Sequence, residues 1–513
     1  MSNIQSFYDR KCVLITGGSG FLGKILTYRL LVSCPHIQRV YLLIRPTQKH
    51  SAQERLASIL NSSIFQNVGP ERYEKVLAVS GDLIGQDLGI RQEDLELIYQ
   101  TVAVVFHTAA TVKFDEPLKT SVEVNVCGTA KLLQLCRHMK QLRAFIHVST
   151  AYSNCHKKKI EELVYDPVVE PDQLIEAFQW MNGEMIYSVT SSLIPPWPNT
   201  YTYTKALAEA VIVRANASFP VGIVRPSIIG SALNHPCAGY IDNFNGPSGL
   251  LAAIGKGALR TMLGDIYAVA DIVPVDLVAD LLITAAWHLA CSQNSEVVPV
   301  FNFVSGPVNP MTWGFVQTST LSYYLKNPVE KLYRVPSAQF TQSRLIHEFW
   351  RWTDHLIPAY IIDGISKMQS KNSSVVKSYE KLHRATACLD FFTQQSWEFE
   401  SKNVIALWKS LDQRDRQIVN FDVSAINWKL YMEKFCMGVK VFLLHEELQN
   451  LPEARRNLSR RKNIAHAVTT VLCILFWIVI GKNFRLIRSS WVATLSIAFR
   501  LFMLLSKINT TKD

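Results

Sequence analysis

Short apolar runs alternate with longer segments of helical periodicity along the first half of the chain. The apolar runs have the length and density of buried strands, beginning with Val13–Ile15 and continuing at Arg39–Ile44, Val76–Ser80, Val102–Phe106, Ala144–Ser149 and Val221–Val224. Helical patterns lie between them at about Gln53–Leu60, Lys119–His138 and Tyr203–Ala215. This alternation predicts an α/β fold with a doubly wound Rossmann-type parallel sheet, whose ligand binds at the carboxyl ends of the strands.

A glycine-rich turn follows the first apolar run directly and leads into a helical pattern. In dinucleotide-binding units the first glycine permits a tight turn, the second admits the pyrophosphate and the third lets the helix pack closely. The start of the helix then holds the phosphates. We therefore assign cofactor binding to Thr16, Gly17, Ser19, Gly20, Phe21, Leu22 and Gly23.

The second strand ends in Arg45, where the ribose of a bound dinucleotide normally lies. Sites for NAD place Asp or Glu there to bind the 2′-hydroxyl, whereas an arginine suits the 2′-phosphate of NADPH. Arg45 therefore favours NADPH, and Lys49 nearby supports it. A solvated arginine at the end of a strand is the structural alternative.

Three further positions along the strand ends are candidates for cofactor binding. Asp82 and Leu83 follow the third strand, where a carboxylate can meet the adenine amine. His107 and Ala109 follow the fourth strand, where small residues leave room for the nicotinamide half. Asn125 can pin a neighbouring strand through its amide. For each of them a structural role is equally compatible with the sequence.

The candidate catalytic residues are Ser149 and Thr150 at the end of the fifth strand, and Tyr201 and Lys205 at the start of a helix. Residues four apart share a helix face. A phenol with a pKa near ~10 is a poor acid–base group at neutral pH, so we expect the lysine to lower it. A hydroxyl from Thr150 or Ser149 would bind a substrate carbonyl and orient it.

Together these motifs resemble an extended short-chain dehydrogenase/reductase, and more closely the alcohol-forming fatty acyl-CoA reductases. The residues that carry the likeness, from one end of the chain to the other, are Gly20-Phe21-Leu22-Gly23-Lys24, Phe145-Ile146-His147-Val148-Ser149-Thr150-Ala151, Tyr201-Thr202-Tyr203-Thr204-Lys205-Ala206-Leu207, Arg225-Pro226-Ser227-Ile228, Asn245-Gly246-Pro247, Phe421-Asp422-Val423 and Asn427-Trp428. The resemblance implies NADPH-dependent reduction of long-chain acyl-CoA to fatty alcohol, with Lys205 serving both catalysis and cofactor binding.

Two other functions stay open on the residues alone. A sterol dehydrogenase/isomerase or a sugar-nucleotide enzyme uses the same scaffold and the same tyrosine and lysine. A membrane-tethered protein that binds NADPH without turnover would also keep these motifs.

The net charge of +11 would suggest a nucleic-acid partner if it were spread over the whole chain. Residues 451–513 hold 11 Lys and Arg but 2 Asp and Glu, so the excess belongs to the tail and we exclude nucleic acid. The 10 cysteines are scattered without a Cys-x-x-Cys pair, which predicts a reducing cytosol and no metal site.

We divide the chain into three parts. Residues 1–335 form the NADPH-binding reductase domain, with its substrate part at about 150–200 and 226–335. Residues 336–450 form a helical C-terminal domain, in which Leu345, Phe349, Trp352 and Leu356 recur at a spacing that favours core packing. Lengthening of an acyl pocket is the alternative role for this domain.

Residues 451–513 form a basic flank and a membrane-anchoring tail. Ile464–Ile480 is an uncharged run at the short end for a transmembrane helix, and its basic flank keeps the reductase domain in the cytosol. Trp491–Leu505 contains Arg500, which favours an interfacial helix over a second span. The resemblance implies the peroxisomal membrane, with the endoplasmic reticulum as the alternative.

Overall fold

The computed structural model describes residues 1–292, 297–368, 374–471, 473–476 and 478. Its strands are β1 (Cys12–Thr16), β2 (Arg39–Ile44), β3 (Val76–Ser80), β4 (Val102–His107), β5 (Ala144–Val148), β6 (Lys159–Ile160), β7 (Val221–Pro226), β8 (Ile228–Gly230), β9 (Thr261–Leu263), β10 (Ile272–Pro274), β11 (Val300–Phe303), β12 (Gln339–Thr341) and β13 (Glu398–Phe399).

The α-helices are α1 (Asn3–Tyr8), α2 (Phe21–Ser33), α3 (Ala52–Leu60), α4 (Pro70–Tyr73), α5 (Gln92–Thr101), α6 (Leu118–Val122), α7 (Gly128–Cys136), α8 (Pro171–Trp180), α9 (Gly183–Leu193), α10 (Thr200–Arg214), α11 (Pro247–Gly255), α12 (Val275–Cys291), α13 (Trp313–Lys326), α14 (Arg344–Trp350), α15 (Ile357–Met368), α16 (Val375–Ala387), α17 (Asp390–Thr393), α18 (Lys402–Ser410), α19 (Gln413–Arg416) and α20 (Trp428–Gly438). Three π-helical segments, Glu123–Cys127, Arg351–Leu356 and Val439–Leu443, join or extend them, and residues 451–471 are helical.

The main sheet has the strand order β11-β7-β5-β4-β1-β2-β3, and every pairing in it is parallel. The order reverses between β1 and β4, which is the switch point at which a doubly wound sheet binds its ligand. The predicted Rossmann-type fold is therefore confirmed. The strand β11 was not predicted from the pattern.

Helices cover both faces of this sheet, which is why its strands are apolar throughout. Leu14 of β1 is buried in a cluster with residues of α5, α7 and α10, while Ile15 is buried in a second cluster with residues of α2 and α12. Successive residues of a strand point to opposite faces, so each face has its own core.

The segment between β5 and α10 folds into two helices. Leu174 and Phe178 of α8 and Ile186 of α9 are buried in the same cluster as Leu207 and Val211 of α10. The segment is thus packed against the helix that carries the candidate tyrosine.

The segment after residue 336 is helical, as predicted, and pairs with the reductase part through short strands. β12 pairs in parallel with β9, and β13 with β6. The Tyr431 hydroxyl donates to the Ser231 carbonyl at 3.0 Å, and Arg29 donates to the Ile418 carbonyl at 2.7 Å. These contacts join the predicted second part to the first.

The predicted core packing of the first C-terminal helices is wrong for most of its residues. Leu356 is 5% exposed, but Leu345 is 85% exposed, and Phe349 and Trp352 are also exposed. The helix buries a different face from the one that its apolar residues mark.

Within the described residues, no helix has the length and hydropathy that a membrane span requires. The predicted span at 464–480 includes residues 472, 477, 479 and 480, which lie outside the described residues, as does all of Trp491–Leu505.

We expect Gly23→Ala to lower the free energy of unfolding by ~1–3 kcal/mol, the usual cost of an extra carbon in a packed site. The added Cβ would lie 2.3 Å from the Gly17 carbonyl oxygen and 2.7 Å from the Gly18 Cα, which are backbone atoms. Gly183→Ala is the matched control, because a Cβ there meets no described atom within 4 Å. Urea unfolding followed by tryptophan fluorescence measures both variants, and equal stability would contradict the packing argument.

Candidate active site

The glycine turn connects β1 to α2 in the geometry that a dinucleotide needs. Gly17 has φ +74°, a left-handed conformation that favours glycine. No side chain caps α2 at its N-cap Gly20, so the first amides of the helix keep their donors for a ligand. A Cβ on Gly20 would approach the Gly17 carbonyl oxygen to 3.2 Å. The turn therefore fits a pyrophosphate.

Two arginine side chains, Arg45 and Arg55, lie beside this turn near the end of β2. The Arg45 guanidinium is exposed and forms a 3.7 Å ion pair with Asp82, so the two residues predicted for the adenosine half do lie together. Arg55 of α3 donates to the Arg45 carbonyl and, at 3.4 Å, to the Ser19 hydroxyl. Arg55 was not predicted from the sequence, because only the fold brings α3 against the glycine turn.

The side chain of His107 is buried between β1 and α7 instead of facing the ligand. Thr129 donates to the Asn125 carbonyl at 2.6 Å, so its hydroxyl accepts from His107 Nε2 at 3.0 Å. His107 Nδ1 then accepts from the Thr16 hydroxyl at 2.7 Å. Burial lowers the pKa of His107 to about 3, so the ring is neutral. Both ring nitrogens of His107 are therefore engaged within the fold.

The other residues predicted to bind the cofactor along the strand ends differ in burial and in hydrogen bonding. Ala109 is partly exposed, and its amide donates to the Thr16 hydroxyl at 3.3 Å. The side chain of Leu83 is buried in the core, which leaves its backbone for the cofactor. Asn125 donates to the Thr204 hydroxyl at 2.9 Å and accepts from the Thr111 amide at 2.9 Å. The amide thus holds the loop after β4 against α10.

The Ser149 hydroxyl, predicted as a candidate for the substrate carbonyl, is engaged within the fold. Its hydroxyl donates to the carboxylate of Glu209, which is buried on α10. Arg225 of β7 binds the same carboxylate through Nε at 2.8 Å and Nη2 at 2.6 Å. A buried charge needs such partners, so Ser149 belongs to the support of this pair.

Thr150 is the hydroxyl that lies beside the candidate tyrosine. Burial raises the pKa of Tyr201 to about 12, and a hydrogen bond with the Thr150 side chain lowers it by less. The ring of Tyr201 stacks on Phe114, with the centroids 5.7 Å apart. The expectation of a lowered phenol pKa therefore differs from the structure, in which Tyr201 is held in its protonated form.

Lys205 is not among the groups that lower the pKa of Tyr201, because its ammonium is engaged by the backbone. It donates to the Val148 carbonyl at the end of β5 at 2.6 Å. Burial lowers the pKa of Lys205 to about 8, and the charge of Glu209, one turn later on α10, raises it. Tyr201, Lys205 and Glu209 thus form a row on one face of the helix.

The structure adds aromatic side chains from the C-terminal part to this site. Phe392 of α17 packs against Phe114 at 5.5 Å and against Tyr152 at 5.2 Å between ring centroids. Trp397 also contacts Tyr152. Their aromatic character was visible in the sequence, but the long-range contact was not. One side of the tyrosine site is therefore apolar.

Known proteins match this chain over its whole length. A family model described as "Male sterility protein" matches residues 15–282, and a second model of the same description matches residues 354–446. Fatty acyl-CoA reductase 1 of Xenopus laevis is 40% identical over 503 residues, which cover 98% of each chain. Fatty acyl-CoA reductase 2 of Mus musculus is 37% identical and covers 100% of each chain.

Solved structures share the fold. The terminal R domain from the myxalamid biosynthetic pathway aligns with a TM-score of 0.56 at 16% identity, covering 86% of this chain and 93% of that chain. The reductase domain of a nonribosomal peptide synthetase from Mycobacterium tuberculosis gives 0.55 at 18% identity, covering 85% and 92%.

The fold and the site define a Rossmann-type oxidoreductase that uses a nicotinamide cofactor. Its glycine turn, its strand ends and its tyrosine all meet at one edge of the sheet. At the identities found over nearly the whole length, the chain belongs to the fatty acyl-CoA reductase family.

We expect Thr150→Val to lower kcat by ~10²–10³-fold, because a hydroxyl beside Tyr201 is the donor available to a substrate oxygen. Ser149→Ala should keep kcat within a few-fold but cost ~1–3 kcal/mol in stability, because the buried Glu209 carboxylate loses a donor. Oxidation of the reduced nicotinamide measures turnover, and urea unfolding measures stability. A larger loss of kcat in Ser149→Ala than in Thr150→Val would show that the roles of the two hydroxyls were assigned wrongly.

Proposed function

We propose that the protein reduces long-chain fatty acyl-CoA to fatty alcohol with NADPH and releases CoA. The observation that carries this proposal is the placement of Tyr201, which has the Thr150 side chain beside its hydroxyl and the ring of Phe114 stacked on its own. The family supports the substrate, because the relatives that match over the whole chain are named fatty acyl-CoA reductases.

The residues of this chain have separate tasks in the reaction. Tyr201 holds a proton at the carbonyl oxygen of the substrate, and Thr150 orients that oxygen. Lys205 and Glu209 keep the helix in place against the end of β5. NADPH, when bound, supplies the hydride, and two are consumed per acyl group because the thioester passes through a hemithioacetal and an aldehyde before the alcohol.

The preference for NADPH over NADH is supported by two arginines. Arg45 ends β2, and Arg55 lies between the Arg45 carbonyl and the Ser19 hydroxyl. Guanidinium groups bind phosphate through several charge-assisted hydrogen bonds. The exposed ion pair with Asp82 competes only weakly, because surface pairs are worth little.

We also propose that residues 451–513 attach the enzyme to the peroxisomal membrane, with the endoplasmic reticulum as the alternative, and leave the catalytic part in the cytosol. Exposed basic side chains precede the apolar run of this tail: Arg455, Arg456, Arg460, Arg461 and Lys462. Long-chain acyl groups and fatty alcohols partition into bilayers, so attachment brings the enzyme to its substrate.

Incubation of the purified full chain with NADPH and palmitoyl-CoA, followed by mass spectrometry for hexadecanol, tests the function. We expect Tyr201→Phe to abolish the product while NADPH still binds. Tyr203→Phe is the matched control two residues away, because its buried hydroxyl has no hydrogen-bond partner among the described residues.

Other outcomes of this assay would contradict the proposal. NADPH binding without any product from the wild-type chain would favour a binding protein. Turnover of a sterol or a sugar nucleotide without hexadecanol would favour the other oxidoreductases of this fold. Wild-type turnover in Tyr201→Phe would remove the proposed acid.

For the cofactor, we expect Arg45→Ala and Arg55→Ala each to raise the KM for NADPH by about tenfold, the value of one charge-assisted phosphate contact. The KM for NADH should stay nearly unchanged. Arg91→Ala is the control, since Arg91 pairs with Asp94 at 3.0 Å away from this site. Steady-state kinetics with both nucleotides measures the effect, and an equal rise for the two would contradict a 2′-phosphate contact.

A further inference from the structure

One helical run of the C-terminal part exposes a continuous set of large apolar side chains. The helix α14, the π-helical segment Arg351–Leu356 and α15 follow one another without a break over residues 344–368. The exposed side chains, which we call the apolar ridge, are Leu345, Ile346, Phe349, Trp352, Ile357, Tyr360, Ile361, Ile362 and Ile365. A run of large exposed apolar side chains on one helix is typical of an interaction site.

The opposite face of the same helix is buried and carries two polar side chains, His355 and Asp363, beside Leu356 and Ala359. His355 Nε2 accepts from the Arg260 amide at 2.9 Å, and His355 Nδ1 lies 3.2 Å from His383 Nε2. Asp363 accepts from the amides of Val375 at 2.7 Å and Val376 at 3.1 Å. A surface helix in water keeps its large apolar residues inside, whereas most of those in this helix lie on the outer face. The outer face of this helix therefore suits an apolar medium.

Cations predominate among the exposed charges around the ridge, although Glu380 on α16 is also exposed. The Glu348 carboxylate is bound by Arg351 at 3.0 Å, and Asp354 is bound by Arg260 at 3.2 Å and Arg334 at 3.3 Å. The carboxylates of the helix are thus neutralised by partners within the fold. Exposed cations flank the ridge on α14, α15 and α16: Arg344, Lys367, Lys377 and Lys381.

We propose that the apolar ridge inserts into the surface of a bilayer that contains anionic lipid, as a second membrane contact separate from the C-terminal tail. An interfacial helix combines an apolar face with flanking cations, and aromatic residues such as Trp352 and Tyr360 are enriched at the headgroup level. This inference rests on the proposed function only in that the acyl substrate is long enough to partition into lipid.

The position of the ridge connects it to the catalytic tyrosine. The ring of His383 on α16 packs against His355 of the ridge helix, and α17 follows α16 directly. Phe392 of α17 contacts Phe114, which stacks on Tyr201. The ridge helix is thus linked through α16 to the segment that forms the apolar side of the active site.

The test uses the full chain on vesicles of phosphatidylcholine and phosphatidylserine that carry a photoactivatable diazirine in the acyl chain. Trypsin cleaves after Arg344, Arg351 and Lys367, so the ridge is recovered in the peptides Leu345–Arg351 and Trp352–Lys367. We expect lipid adducts on both peptides, and fewer on vesicles of phosphatidylcholine alone.

The combined substitutions Leu345→Ser, Phe349→Ser and Ile361→Ser should lower the labelling of Trp352 and Tyr360 by about tenfold. Labelling of the tail peptides should not change. The matched control replaces three equally exposed apolar residues elsewhere, Val168→Ser, Trp180→Ser and Tyr187→Ser, and should leave the ridge labelled.

Labelling of the tail alone would overturn the proposal. Ridge peptides cross-linked to a second copy of the chain instead of to lipid would also overturn it, in favour of a dimer interface. Adduct formation does not require turnover, so a chain that is labelled on the ridge but makes no hexadecanol would refute the proposed function and keep this inference.

Discussion

Burial of the Glu209 carboxylate is the constraint on which the reactive edge of the sheet depends. The carboxylate lies on α10 between Arg225 of β7 and Ser149 at the end of β5, and neither member of the ion pair is exposed. Removing one partner of such a pair typically costs about 3–5 kcal/mol, because the other charge stays buried with neither a partner nor water to stabilise it. The pair therefore fixes α10 against two strands, and this sets where Tyr201, two turns earlier, meets the strand ends.

The same burial decides the protonation states at this edge. It raises the pKa of Tyr201 to about 12, lowers that of Lys205 to about 8 and lowers that of His107 to about 3, in each case toward the neutral form. Only Lys205 has a carboxylate close enough to oppose the effect. Reduction of a carbonyl requires a proton donor, whereas oxidation of an alcohol requires a base. A phenol held protonated suits the reductive direction.

The parts of the fold and site that depend on local sequence could be predicted. The strands β1 to β5, the glycine turn and the helix of Tyr201 and Lys205 follow from hydrophobic runs and from short motifs. The roles of Ser149 and Arg55 could not be predicted, because each depends on a partner far along the chain, at Glu209 and Ser19. The direction of the Tyr201 pKa was wrong for the same reason, since burial depends on the whole fold.

The C-terminal helices show the limit of periodicity most clearly. An apolar stripe at helical spacing indicates that one face is removed from water, but it does not say whether protein or another apolar medium covers it. In residues 344–368 the protein interior takes the face with Leu356, Ala359, His355 and Asp363, and the hydrogen bonds of the two polar residues are satisfied there. If the helix were rotated about its axis, His355 and Asp363 would be hydrated at little cost in free energy. Folding therefore does not require that they be buried. Their burial is explained if the apolar ridge must face outward, where a lipid surface can cover it.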